Sequence, residues 1–243
     1  MPEARIRFEW GLTGGRAVSA GADIVVVVDV LSFTTSVSVA LDAGMVVLPY
    51  RWNDGTAARF AQERKAALAV GRRAAGPRDF SLSPVTLRRW GTPGARVVLP
   101  SPNGSTIALA LGCGRARVVA AALRNAPAVA RWISAQGDVT VAVVAGGEHW
   151  PDGTLRPAVE DLWGAAAVLR ELDLTDASPE ARTAAAAQPG DLAATVSGRE
   201  LINGGFPHDV AIAAEAGSSA AVPVLVDGEF RLPEVRDTVT DVY

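Results

Sequence analysis

The sequence predicts an α/β fold: a three-layer α/β/α arrangement around a mainly parallel or mixed sheet. Three observations predict it. Short β-branched runs such as Asp23-Ile24-Val25-Val26-Val27-Val28 lack polar alternation, as strands covered on both faces do. Each run gives way to a small polar loop and then to a stretch of helix formers. This strand–loop–helix unit recurs along the chain with no low-complexity linker, so residues 1–243 read as one domain with room for two lobes.

Taken in order, residues 6–10 alternate apolar and charged side chains and suit a half-exposed edge strand. Residues 11–22 carry Gly-Gly and Ala-Gly-Ala turn signals. The valine run then ends on Asp29, and residues 34–41, free of Gly and Pro, predict a helix stopped by Gly44. Residues 45–50 make a second buried strand, 57–70 a helix, 69–73 a short strand and 76–84 a loop. Ser83-Pro84 starts a short helix, with proline at the first helical position. Residues 97–100 repeat the opening pattern and run through Ser101-Pro102-Asn103-Gly104-Ser105-Thr106 into a helix at 107–111. Strands at 118–123 and 139–144 bracket a helix at 125–134 with Asn125 as N-cap. Helices follow at 157–172, 178–187, 195–202 and 209–215. A strand at 222–226 then turns through Asp227-Gly228 into 229–232.

Composition narrows the function classes. With 23 basic and 26 acidic residues the formal charge is -3, which offers no electrostatic footprint for nucleic acid or an anionic membrane. The one cysteine, Cys113, excludes an internal disulfide and a cysteine zinc cluster; between two glycines it is expected to fill a small gap. Residues 1–10 carry charges at Glu3, Arg5, Arg7 and Glu9 and do not read as a signal peptide. No apolar run approaches the ~20 residues of a membrane span. A soluble cytoplasmic protein is the expectation, with another copy of itself as the expected macromolecular partner.

Common catalytic motifs fail. There is no G-x-x-x-x-G-K-[ST] loop, no complete dinucleotide fingerprint and no G-x-S-x-G elbow. Two histidines, His149 and His208, cannot build a histidine-rich metal site. What remains are carboxylates and hydroxyl-rich turns at predicted strand ends, where open α/β sheets place ligands. Asp29, Glu148, Glu160 and Asp161 are hard oxygen donors that suit Mg²⁺. Ser32, Thr34 and Thr35 at one helix start, and Ser101, Asn103, Gly104, Ser105 and Thr106 at another, suit an anion. Each has a plainer explanation: Asp29 as a helix cap, Asn103-Gly104 as a turn, Glu160 and Asp161 as ordinary helix-start acids. Arg72 and Arg73 suit a solvated face or a grip on phosphate or sulfonate.

Together these stretches resemble the 2-phosphosulfolactate phosphatase (ComB) family over most of the chain. The marks are Val26-Val27-Val28-Asp29-Val30-Leu31 with Thr34-Thr35, Ser83-Pro84, Asn103-Gly104-Ser105-Thr106, Leu123-Arg124-Asn125-Ala126 and Ala145-Gly146. Further on come Glu160-Asp161 with Gly164-Ala165, Ser197-Gly198-Arg199-Glu200-Leu201 and Asp209-Val210. The resemblance implies Mg²⁺-dependent hydrolysis of 2-phosphosulfolactate to sulfolactate and phosphate on the coenzyme M route. It implies that Asp29, Asn103, Glu160 and Asp161 belong to the metal and phosphate site. Three stretches depart from the family pattern: Ser32 stands in place of an arginine, Ser101-Pro102-Asn103-Gly104-Ser105 in place of Thr-Thr-Asn-Gly-Thr, and Gly71-Arg72 in place of Gly-Glu. Arg72 or Arg73, arriving from another direction, is the hypothesised replacement for the lost arginine. Two alternatives stay open: a related phosphatase for another phosphorylated acid, and a non-catalytic anion-binding paralogue.

Overall fold

The computed structural model describes residues 4–51 and 55–233; Glu3, counted above among the N-terminal charges, lies outside them. The chain opens with β1 (Ile6–Trp10), α1 (Gly11–Val18), β2 (Ile24–Val28), α2 (Phe33–Asp42) and β3 (Val46–Tyr50). It continues through α3 (Gly55–Glu63), β4 (Ala67–Leu68), a 3₁₀ turn at Arg72–Ala74, α4 (Pro84–Trp90), β5 (Arg96–Pro100) and α5 (Gly104–Leu111). Next come β6 (Arg117–Ala121), α6 (Ala126–Ser134), β7 (Val141–Ala145) and a small antiparallel pair, β8 (Glu148–His149) and β9 (Leu155–Arg156). Four helices, α7 (Val159–Leu169), α8 (Pro179–Ala185), α9 (Val196–Asn203) and α10 (Pro207–Ala213), precede the hairpin β10 (Val224–Val226) and β11 (Glu229–Arg231).

The main sheet is mixed, in the order β1-β7-β2-β6-β10-β11-β3-β5-β4. Two parallel groups, β1-β7-β2-β6 and β3-β5-β4, are joined by the antiparallel hairpin β10–β11. On a flat sheet the four strand spacings from β2 to β3 put them about 19 Å apart. Helix α5 packs on both, so the sheet curls around it. The valines of β2 divide accordingly. Val26 and Val28 face α6, α7 and α8 through Val129, Ala165 and Ala181. Val25 and Val27 face the inner helices with Phe33, Ile107, Val97 and Leu99. All five β2 residues are buried, which is why the run carries no polar alternation.

The expected elements are present, with three local corrections. Residues 11–18 form helix α1 where turn signals alone were read. Gly15 lets it approach the sheet, since a Cβ there would lie 3.0 Å from Val144 and 3.2 Å from Leu111. Close packing overrides glycine's poor helix propensity. The helix expected over 57–70 is α3 and ends at Glu63, before Lys65, whose φ is +51°. The short strand expected at 69–73 lies earlier, at β4, and pairs with β5. Cys113 is exposed and fills no gap. Among the described residues no helix is long and apolar enough to cross a membrane.

One contact ties this packing to the strand that carries Asp29. A Cβ on Gly164 of α7 would lie 2.7 Å from both Val28 and Val30. Gly164→Ala should therefore cost about 1–3 kcal/mol through overpacking, read as a lower urea midpoint; an unchanged midpoint would show that α7 can retreat.

Candidate functional site

The chain leaves the C-terminal end of β2 at Asp29, which is 4% exposed. Both its oxygens accept backbone N–H groups: Phe33 donates to Oδ1 at 3.2 Å and Gly104 to Oδ2 at 2.8 Å. Asp29 thus holds the first residues of α2 and of α5, which start from different halves of the sheet. Gly104 has to be glycine for this approach, because a Cβ would lie 2.6 Å from Asp29 Oδ2. Asp161, on the first turn of α7, does the same for two loops. Val30 N–H donates to its Oδ1 at 2.7 Å and Gly147 N–H to its Oδ2 at 2.8 Å.

The expected acids lie near enough to feel one another's charge, although among the described residues no three of them converge on one point. Burial raises the Asp29 carboxyl above the usual aspartate range, and neighbouring Glu160 adds to the rise, against the Phe33 and Gly104 N–H groups and Arg72. Asp161 is pushed well above that range by burial, then by Asp29 and Glu160. Glu148 is raised to about 7, first by burial and then by Asp29, while its hydrogen bond from Asn103 opposes the rise. Glu160 is 2% exposed on the first turn of α7.

Asn103 Nδ2 donates to Glu148 Oε2 at 2.8 Å, while Asn103 Oδ1 is buried without a hydrogen-bond partner. These two side chains stand between two cavities. One, of about 450 Å³, is lined by Glu148, Leu31, Arg72, Arg73, Ser197 and Phe206 among others. The other, of about 330 Å³, is lined by Asn103, Thr106, Gly146 and His149 with parts of α1 and β9. The Asn103–Thr106 turn therefore opens on the second cavity.

Several hydroxyls singled out for an anion serve the backbone instead. Thr34 Oγ1 donates to the Asp29 carbonyl at 2.7 Å and accepts the Asp29 N–H at 3.0 Å. Thr35 donates to the Val30 carbonyl at 2.8 Å and Ser105 to the Leu99 carbonyl at 2.9 Å. All three are fully buried, so they brace the strand-to-helix turns. Thr106 donates to the Ser101 carbonyl at 3.3 Å, and Ser101 is buried at the end of β5. Ser32 alone of these hydroxyls meets a cation: Arg72 Nη2 donates to its Oγ at 2.6 Å.

Arg72 is held from behind. Its Nε donates to Asp209 Oδ2 at 2.8 Å, and the Ser83 hydroxyl donates to Asp209 Oδ1. Asp209, 1% exposed at the start of α10, was not singled out for chemistry, nor were Ser83 and Ser197. Their only sequence signal was membership in the ordered marks of the family pattern, which says nothing of their contacts. Leu123-Arg124-Asn125 is structural: Arg124, 3% exposed, pairs with Asp42 and Glu215 and donates to Ser38.

The oxygen-only donor set fits a hard divalent cation. Clustered carboxylates of raised proton affinity gain from a positive charge, and the orphaned Asn103 Oδ1 is a further neutral oxygen donor. Among the described residues no three His, Cys, Asp or Glu side chains converge closely enough to hold an ion. Asp29, Glu148, Glu160 and Asp161, expected together as metal ligands, therefore do not form a protein cage for an ion: Asp29 and Asp161 each spend both oxygens on backbone N–H groups.

Fold and geometry define an α/β protein with buried carboxylates near the C-terminal end of β2 and the start of α7, beside a cleft with arginine on its wall. The chain belongs to the 2-phosphosulpholactate phosphatase family, whose model matches residues 16–228. A probable 2-phosphosulfolactate phosphatase of Deinococcus radiodurans is 29% identical over 219 residues, covering 85% of this chain and 89% of the relative. One of Thermus thermophilus is 31% identical over 213 residues, covering 84% and 88%. Membership makes the protein a phosphatase, a phosphoric monoester hydrolase.

The raised Glu148 has a consequence for stability. Its carboxyl titrates near 7 when folded against an ordinary value of 4.5, so the folded state holds the proton more tightly. The resulting stabilisation is complete below the unfolded value and is lost as pH rises through about 7. In EDTA the unfolding temperature should rise on going from pH 8 to pH 6. One pH unit of titration is about 1.4 kcal/mol, or roughly 2–4 °C. Glu148→Gln should flatten that rise, and an equal slope in the variant would assign the titration elsewhere.

Proposed function

We propose that this protein catalyses Mg²⁺-dependent hydrolysis of 2-phosphosulfolactate to sulfolactate and phosphate. The observation that carries the reading is the group of buried, electrostatically linked carboxylates Asp29, Glu148, Glu160 and Asp161, with the amide oxygen Asn103 Oδ1 left without a partner. The names of the relatives support the substrate.

In this reading one or two of these carboxylates, with Asn103 Oδ1 and water, would hold the cation. When bound, Mg²⁺ supplies Lewis-acid polarisation of the phosphoryl oxygens and neutralises charge moving onto the leaving oxygen. The protein's own groups do the rest. Asp29 keeps one orientation because both its oxygens are already tied to helix starts, which is the preorganisation that electrostatic catalysis needs. Glu148 reaches the cleft wall and orients water for in-line attack on phosphorus. The water oxygen forms the new P–O bond as the ester P–O bond breaks; one proton passes to a carboxylate and the leaving alkoxide is protonated. Arg72, locked by Asp209, supplies positive charge on the cleft side.

Phosphate release from a panel of phosphorylated acids, with Mg²⁺ and with EDTA, tests this. Turnover should require the cation and be highest on 2-phosphosulfolactate. Asp29→Asn, whose amide can accept only one of the Phe33 and Gly104 N–H groups, should melt lower than the parent and, at a temperature where circular dichroism shows it folded, should lower kcat about 10²-fold or more. Preference for another panel member would transfer the activity to that acid, and full activity in EDTA would remove the metal from the mechanism.

A further inference from the structure

The cleft beside Glu148 holds a polar group that the proposed hydrolysis does not use. Ser197, on the first turn of α9, is 4% exposed and is one of the residues lining the approximately 450 Å³ cleft, and its Oγ is buried without a hydrogen-bond partner. Its neighbours leave it in that state: Thr195 caps the helix by accepting the Gly198 N–H at 2.9 Å, so the cap is not Ser197's task. Native proteins rarely bury a hydroxyl without a partner unless something else supplies one.

Arg72 lines the same cleft. It is not a surface arginine: its side chain is 18% exposed, fixed through Nε by Asp209 and through Nη2 by Ser32 Oγ and the Leu82 carbonyl. The Phe206 ring lies 5.9 Å from its Cζ. Asp209 in turn is braced by Ser83. Three elements therefore orient one guanidinium, and among the described residues its Nη1 makes no hydrogen bond, although that atom carries two of its five N–H donors. Of the acids on the cleft, Glu200 is paired with Arg156 at 3.3 Å and Glu148 is bonded by Asn103. A rigid arginine edge and a buried unpartnered hydroxyl in one cleft are complementary to a compact oxyanion.

We propose that the Nη1 edge of Arg72 and Ser197 Oγ form a subsite for the second anionic group of the substrate, a carboxylate or sulfonate, with Asp209 as the residue that positions Arg72. The subsite rests on the phosphatase reading for its substrate: the ester would lie with its phosphoryl group toward Glu148 and Asn103 and its second anion toward Arg72. Selection for acid-bearing esters over simple phosphate esters follows from it.

Ser197→Ala isolates the subsite, because removing an unpartnered buried hydroxyl does not harm the fold. The variant should unfold at a temperature equal to or above the parent's. Its kcat/KM on 2-phosphosulfolactate and 2-phospholactate should fall about tenfold or more, the loss of one hydrogen bond to a charged group, mainly through KM. The fall on phenyl phosphate, which has no second anion, should be smaller by that factor. Equal falls on the two acids assign the carboxylate that both carry, and a larger fall on 2-phosphosulfolactate assigns its sulfonate. Equal falls on all three esters would overturn the subsite. Asp209→Asn should act on the same KM ratio, and Asp209→Glu should restore part of it; loss of kcat alone would reduce Asp209 to a structural role. Calorimetry with sulfolactate separates this proposal from the phosphatase reading, since it needs no turnover. Binding to the parent that weakens in Ser197→Ala supports the subsite even if no ester is hydrolysed, and equal affinity in both overturns it.

Discussion

The structure depends on one carboxylate. Asp29 accepts the first N–H groups of α2 and of α5, helices that begin after strands in opposite halves of the curled sheet. A buried anion is tolerable only when its oxygens are satisfied, and two helix N-termini supply both the hydrogen bonds and positive dipole ends. The interaction ties the helix starts of the two parallel strand groups to one side chain. The same bonds leave Asp29 with raised proton affinity because burial outweighs them. The joint of the fold and the centre of the site are therefore one side chain.

The other acids gather around that joint for related reasons. Asp161 fastens the loop after β2 to the loop after β7 through Val30 and Gly147, and Gly164 lets α7 come close enough for it to do so. Glu148 enters from β8, on a small two-stranded ribbon that leans on α9 through the Arg156–Glu200 pair. Folding thus gathers acidic side chains where the three loops meet, a cost that the proposed cation would relieve. The positive side of the cleft is built separately, from the turn after β4 and the start of α10, through Arg72 and Asp209.

Much of this was legible in the chain itself. The unbroken valines of β2 announced a strand covered on both faces, and the carboxylate after it marked the candidate site. Asn103-Gly104 after β5 marked the second helix start. The departures have physical causes. Helix α1 was hidden by its glycines, which look like turn residues until Val144 and Leu111 are seen against Gly15. Thr34, Thr35 and Ser105 read as ligand groups because hydroxyls at helix starts suit anions, yet each donates to a backbone carbonyl of its own strand end.

By itself, the order of residues determined the alternation of strands and helices, the buried run before Asp29 and the chemical type of the site, because periodicity and residue type act over a few neighbours. Only the tertiary structure decided which acids meet, that Asp29 joins two helices, and that Arg72 reaches Ser32 from 40 positions away while Asp209 holds it from 137. Those pairings rest on how the sheet curls and on where glycine permits close approach, and neither is written in any local stretch of sequence.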